Sequence, residues 1–169
     1  MTLRKQKEDY PNAPRSMDYN EVMQHTHNLA TKIAASGATQ IIGVHRSGLP
    51  FATWIAQELQ LPLGIYFPAD NTITVDPNTP KFGKNYFAFV DETAERGTTL
   101  ADAKLAIERH RYRRDIFFQN CEYLLSSVFI DHFHPTKDTM YAYELDFWCD
   151  GIAGVNKHIA VAEPHWRNK

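Results

Sequence analysis

The chain has 169 residues, 43% of them hydrophobic, with a formal net charge of -2 and a pI near 6.4. That is enough apolar material for one domain with its own core and no need of disulfides, and the slightly acidic balance gives no general drive toward nucleic acid. No apolar run approaches a membrane span, and the N-terminus MTLRKQKEDYPNAPR has no signal-peptide core, so a cytoplasmic protein is expected, with Cys121 and Cys149 as reduced thiols whose spacing fits neither a metal nor a redox pair.

Residues 1–15 are polar and carry Pro11 and Pro14, which predicts an extended N-terminal arm ahead of a single domain over 16–169. Ser16 is the expected cap of a first helix, with Met17, Val22, Leu29, Ile33 and Ala34 toward one face and Gly37 as its stop. His25 and His27 stand two apart on it, so they project to different faces and read as surface residues. Gln40 to Val44 is a short apolar strand that runs through His45-Arg46-Ser47-Gly48-Leu49-Pro50 into a second helix, FATWIAQEL. A strand that feeds a helix through such a loop gathers backbone N–H groups at the helix N-terminus, which favours an anion. Leu63 to Phe67 is the next strand. The segment from Pro68 to Asn85 has three prolines and many turn residues, with TITV as a strand within the excursion. A loop of that length is usually functional or disordered.

Tyr86 to Leu100, YFAFVDETAERGTTL, is the most informative stretch. It reads as a buried strand (Tyr86 to Val90), two adjacent acids (Asp91, Glu92), a short loop holding Gly97, and a helix opened by Thr98 or Thr99. The loop is neither GxxxxGK[ST] nor GxGxxG, so nucleoside-triphosphate and dinucleotide motifs are excluded on residue identity. Two carboxylates beside a phosphate cradle repel phosphate unless the ligand also brings hydroxyls or a metal ion. A ribose 5-phosphate meets both halves. Downstream, Arg109, Arg111, Arg113 and Arg114 with Tyr112 read as a solvated helix end rather than a nucleic-acid surface. Tyr123 to Ile130 is a strand, and His132 and His134 beside Pro135 read as turn residues, not metal ligands. Met140 to Trp148 is an aromatic-rich final strand, and Ile159 to Ala162 closes the chain.

Hydrophobics, two acids, a short loop and Gly-Thr-Thr resemble the phosphoribosyl pyrophosphate (PRPP) motif of type I phosphoribosyltransferases. The stretch MDYNEVMQHTHNLATKI…IIGVHRSGLPFATWIAQEL is similar to the opening of the bacterial xanthine-guanine and hypoxanthine-guanine members, with Ser47 where they have a glycine. The resemblance spans roughly residues 16 to 162. It implies an α/β fold, a central parallel sheet flanked by helices, with residues 68–85 as a mobile loop and about 131–169 contributing to a small hood. It implies transfer of ribose 5-phosphate from PRPP to a nucleobase, with Mg²⁺ as cofactor and a homo-oligomer, dimer or tetramer.

In that reading His45, Arg46, Ser47 and Gly48 form the pyrophosphate loop, with a non-proline cis peptide at His45–Arg46. Asp91 and Glu92 hold the ribose hydroxyls or the metal, and Tyr143-Glu144-Leu145-Asp146-Phe147 adds Asp146 as a weaker metal ligand. Thr93, Ala94, Glu95, Arg96, Gly97, Thr98 and Thr99 wrap the 5-phosphate. Glu95 is the proton shuttle at the base and Arg46 the second catalytic group. The base side is assigned to Phe147, Trp148, Asp131 and Lys137, Trp148 being either a stacking aromatic or a core residue. The 6-oxopurine members place a lysine where this chain has Asp131. A 6-oxopurine therefore leads only narrowly, through Lys137, over adenine or a pyrimidine. A regulator on the same fold that senses PRPP or nucleotide is the alternative from another class, and Glu95 and the 68–85 segment weigh against it.

Overall fold

Asp18 starts the first helix by accepting a hydrogen bond from the Glu21 backbone N–H at 2.9 Å. Met17 before it and Val22 after it are both buried in one cluster, an arrangement that fixes the entry angle of the chain. The cap is thus Asp18 and not Ser16, and Met17 precedes the helix it was expected to join. The computed structural model describes residues 17–81, 83–94, 98–131 and 139–145. In chain order these form α1 (Tyr19–Ser36), β1 (Gln40–Val44), α2 (Leu49–Leu59), β2 (Leu63–Phe67), β3 (Thr72–Thr74), β4 (Tyr86–Ala94), α3 (Thr98–Tyr112), β5 (Glu122–Asp131) and β6 (Thr139–Leu145). Gly37 ends α1 with φ +80°, a left-handed geometry that suits a residue without Cβ.

The strands build one six-stranded sheet in the order β3-β2-β1-β4-β5-β6. All neighbours are parallel except β3, which runs antiparallel to β2. A parallel sheet is covered on both faces, which is why β1, QIIGV, is buried at every position. On β4, Ala88 and Val90 pack under α1 and α2, while Phe87 and Phe89 pack under α3. The fold is the expected α/β class, a central and mostly parallel sheet between helices. Among the described residues no helix is long and apolar enough to cross a membrane.

Several elements differ from the sequence reading. β4 does not stop at Val90 but runs through both acids to Ala94, because β5 continues to pair beside it (Asp91 with Ser127, Thr93 with Phe129). The aromatic-rich final strand does form, over Thr139–Leu145, as the sixth strand of the sheet on β5, while residues 146–169 lie outside the described residues. His25 is not a surface residue: its ring packs 4.3 Å from Tyr143 and 5.8 Å from Phe129. His27 does lie at the surface, 2.6 Å from Glu58 of α2. Arg111 is not a free solvated cation, since its guanidinium donates to the carbonyls of Phe118 and Cys121 and to Glu108. Cys121 is a free, buried thiol, pushed up by burial and partly offset by Arg111. Cys149, His132 and His134 lie outside the described residues.

Candidate functional site

β1 and β4 are neighbours at the centre of the sheet, and the chain departs from them in opposite directions, to β2 and β3 on one side and to β5 and β6 on the other. Such a reversal opens a crevice at the carboxyl ends of the strands, where open α/β sheets bind ligands. The loop after β1 and the acids near the end of β4 meet in this crevice.

The loop is held at both ends. The His45 N–H donates to the Tyr66 carbonyl at 2.8 Å, and the Gly48 N–H to the Val44 carbonyl at 3.0 Å. The His45–Arg46 peptide is cis, as the resemblance implied. His45 and Arg46 are exposed, Ser47 is half-buried and Gly48 is buried; the His45 ring leans on Phe67, with centroids 5.2 Å apart. Gly48 lies flat against β4. A Cβ there would fall 2.4 Å from the Val90 carbonyl oxygen and 2.7 Å from the Asp91 Cα. The next residues open α2, with Pro50 in its first turn, where the missing N–H has no helical partner to lose.

Asp91 is 7% exposed and Glu92 fully buried. Asp91 Oδ1 accepts from the Glu92 backbone N–H at 2.8 Å and from the Ser47 hydroxyl at 3.4 Å. Burial pushes the Asp91 carboxyl up to about 6, and those two donors only partly oppose the shift. A carboxyl in this state takes up charge readily once a ligand supplies donors or a cation. Thr93 is half-buried, Ala94 buried, and Thr98 and Thr99 open α3.

The structure thus brings Ser47 and Gly48, at the start of α2, against Asp91, while Arg46 lies in the same loop and Glu92, Thr93 and Ala94 follow Asp91 along β4. Asp131 ends β5, two strands from β1. Glu95, Arg96, Gly97, Lys137, Asp146, Phe147 and Trp148 lie outside the described residues. Among the described residues no group of three or more His, Cys, Asp or Glu is placed to hold a metal ion. One neighbour of the acids escaped sequence reasoning. Ser127 pairs directly with Asp91, is fully buried, and its hydroxyl has no hydrogen-bond partner among the described residues. Its signal was the polar Ser-Ser pair inside the apolar run YLLSSVFI.

No protein-family model matches the chain. Solved structures do. The Helicobacter pylori xanthine-guanine-hypoxanthine phosphoribosyltransferase superposes with a TM-score of 0.59 at 15% identity, over 90% of this chain and all of that one. Orotate phosphoribosyltransferase from Aeropyrum pernix gives 0.57 at 19% identity, over 83% and 77% of the two chains. The Pyrococcus horikoshii purine phosphoribosyltransferase gives 0.55 at 21%, over 79% and 89%. This chain has the type I phosphoribosyltransferase fold. In sequence, the chain is similar to part of two proteins called transcriptional regulator GfcR. The one from Methanosphaerula palustris is 32% identical over 81 residues, 44% of this chain and 39% of its own length. That from Methanocorpusculum labreanum is 30% identical over 94 residues, 53% and 48% of the two chains. The chain therefore spans less than half the length of the curated relatives it matches.

Proposed function

We propose that the chain binds PRPP and transfers its ribose 5-phosphate to a nucleobase, a 6-oxopurine ahead of adenine or a pyrimidine, with release of pyrophosphate. The observation that carries this reading is the seating of Gly48 on Val90 and Asp91. It sets the loop that carries Arg46 against the buried Asp91 carboxyl, which supports a ligand that brings both phosphate and hydroxyls. In this reading a base nitrogen attacks C1 of PRPP as the bond to pyrophosphate breaks, and the bonding pair leaves with the pyrophosphate. Arg46 and the backbone amides of Arg46 and Ser47 would take up the charge that grows on the leaving group, the His45 and Gly48 amides being engaged with the Tyr66 and Val44 carbonyls. Asp91 and Glu92 accept from the ribose hydroxyls. Residues 93 to 99 wrap the 5-phosphate, and Glu95 takes the proton released by the base, a role typically worth about 10²–10⁴-fold. On the base side, Lys137 donates to a 6-oxo group, Asp131 accepts from an amino group if the base carries one, and Phe147 or Trp148 stacks.

Two adjacent carboxylates are too few for a resident protein cage, but they suit Mg²⁺ carried in on phosphates, which keeps waters and takes one or two carboxylates. Asp91 and Glu92 would hold it, with Asp146 a further candidate, and it would supply neutralisation of pyrophosphate charge. A homo-oligomer, dimer or tetramer, belongs to the same reading, as does closure over the site by the part of the 68–85 segment that lies between its anchors at Ile73, Thr79 and Asn85.

A second reading has its own support: the curated relatives are called transcriptional regulators. On it, the same crevice binds PRPP or a nucleotide as an effector without turnover. Incubation with labelled PRPP, Mg²⁺ and a panel of bases separates the two. Pyrophosphate release with hypoxanthine, guanine or xanthine is the expected result. Saturable PRPP binding with no release for any base favours the sensor, and absence of PRPP binding removes the transferase and leaves only a nucleotide as effector.

A further inference from the structure

Asp91 presents two oxygens, and the protein uses them unequally. Oδ1 takes both the Glu92 backbone N–H at 2.8 Å and the Ser47 hydroxyl at 3.4 Å. A carboxylate oxygen has two lone-pair sites, so these donors occupy Oδ1 and leave the acceptor sites of Oδ2 to a ligand. The Ser47 bond is long for a hydroxyl donor, and bonds of this kind in ligand-free sites tighten when the site is filled. Its span is not adjustable from the loop side. Gly48, one residue on, is pressed onto Val90 and Asp91 with no room for a Cβ, and His45 is tied to Tyr66. Ser47 therefore stands at a fixed height above the acid. A glycine at this position would offer no such contact.

We propose that Ser47 is a positioning residue, whose hydroxyl sets the orientation of the Asp91 carboxylate and fastens the 45–48 loop to the acid pair. The proposal rests on the PRPP reading of the crevice, which makes both parts contact one ligand. Ser47 need not touch the ligand: it acts through Asp91. Loading the loop then bears on the geometry of the acid, and loading the acid bears on the loop, with one coupling that is the same in both directions.

The test is PRPP affinity with Mg²⁺, by calorimetry or equilibrium dialysis, for the wild type, S47A, S47T and each of these in a D91N background. S47A is expected to weaken PRPP by about three- to tenfold, the span of a single hydrogen bond, and S47T to restore most of that loss. In D91N, whose neutral amide oxygen is the weaker acceptor, the S47A loss is expected to shrink. Wild-type affinity in S47A, or an undiminished loss in D91N, overturns the proposal; the latter would place Ser47 on the ligand itself. Urea unfolding of the wild type, S47A, D91N and the S47A/D91N double variant without ligand completes a double-mutant cycle. A coupling of about two- to tenfold in the unfolding constant is expected, and additivity overturns the Ser47–Asp91 link whatever PRPP does. Coupling in that cycle together with no PRPP binding by the wild type leaves the link standing and removes the PRPP reading instead.

Discussion

A buried carboxylate is unfavourable in the empty protein and useful in the loaded one, and Asp91 is the residue where this can be measured. Its folded value of about 6 lies above the ordinary 3.8 because of burial. Between those two values the folded chain holds a proton that the unfolded chain has released. Stability from this group is full below about pH 4 and is lost as pH rises through about 6. The loss amounts to at most about 3 kcal/mol at neutral pH, taking about 1.4 kcal/mol per pH unit. Asp91→Asn should therefore flatten the stability–pH curve between pH 4 and 6 and raise stability at pH 7. Combined with Glu92→Gln it should abolish PRPP binding. Urea midpoints at several pH values, beside a binding isotherm, check both, and an unaltered pH slope in the single mutant would sink the electrostatic account. Gly48→Ala tests the opposite kind of cost. The added methyl collides with backbone, not with a movable side chain, so a loss of about 1–3 kcal/mol is expected from overpacking, together with loss of PRPP affinity. A variant as stable as the parent would mean that the loop can lift from β4.

At the level of elements, the excursion after β2 is the least regular part and yet is tied down in several places. Ile73 lies in the α3-side core, and its N–H donates to His110 Nε2 at 3.3 Å. The buried Thr79 hydroxyl donates to Gln40 Oε1 at 2.8 Å, at the start of β1. Asn85 donates to the carbonyls of Pro80 and Phe117 at 3.3 and 3.2 Å. Asn85→Ala leaves two carbonyls without that donor, and a loss of about 1–3 kcal/mol in thermal or urea unfolding is expected. A neutral result would show that water replaces the amide. β5 offers the reverse change. The Ser127 hydroxyl is buried with no hydrogen-bond partner among the described residues, so Ser127→Ala should leave stability unchanged or raise it by about 1 kcal/mol. A marked destabilisation would reveal a bond at that hydroxyl. These contacts also mark where sequence reasoning stops. β1, α2, β2 and the short β3 were legible because apolar runs, Pro50 and the turn residues act locally. The extension of β4 through Asp91 and Glu92 was not, since acids are poor strand formers and pairing with β5 decided the matter. His25 read as surface because its partners, Phe129 and Tyr143, lie more than a hundred residues away. Arg111 looked like one of four helix-end cations until the Phe118 and Cys121 carbonyls folded back onto it.

Over the whole molecule, the fold sets Ser47 and Gly48 of the loop after β1 against Asp91 of β4, two stretches that in sequence only a family resemblance connected. The base side was never legible to the same degree, because it depends on isolated residues such as Asp131, Lys137 and Trp148 with no spacing rule to bind them. The pairing of β1 with β4 has a further consequence. Gln40 lies beside Phe87 and Gly43 beside Val90, so the crevice exists only after a long loop has closed and two distant strands have docked in parallel. Such non-local pairing is slow to form. Neither half of the chain owns a binding site, and a partly folded chain has none. Occupancy must then act as a clamp on the entire domain: PRPP at a hundred times its dissociation constant should add about 2.7 kcal/mol to global stability. For a chain of this size that is roughly 5–10 °C in melting temperature, carried by every element at once and not by the loops at the crevice alone. Hydrogen exchange with and without PRPP should therefore slow in α1 and β6 as well as in β1 and β4, and protection confined to the crevice would show that the sheet opens in pieces.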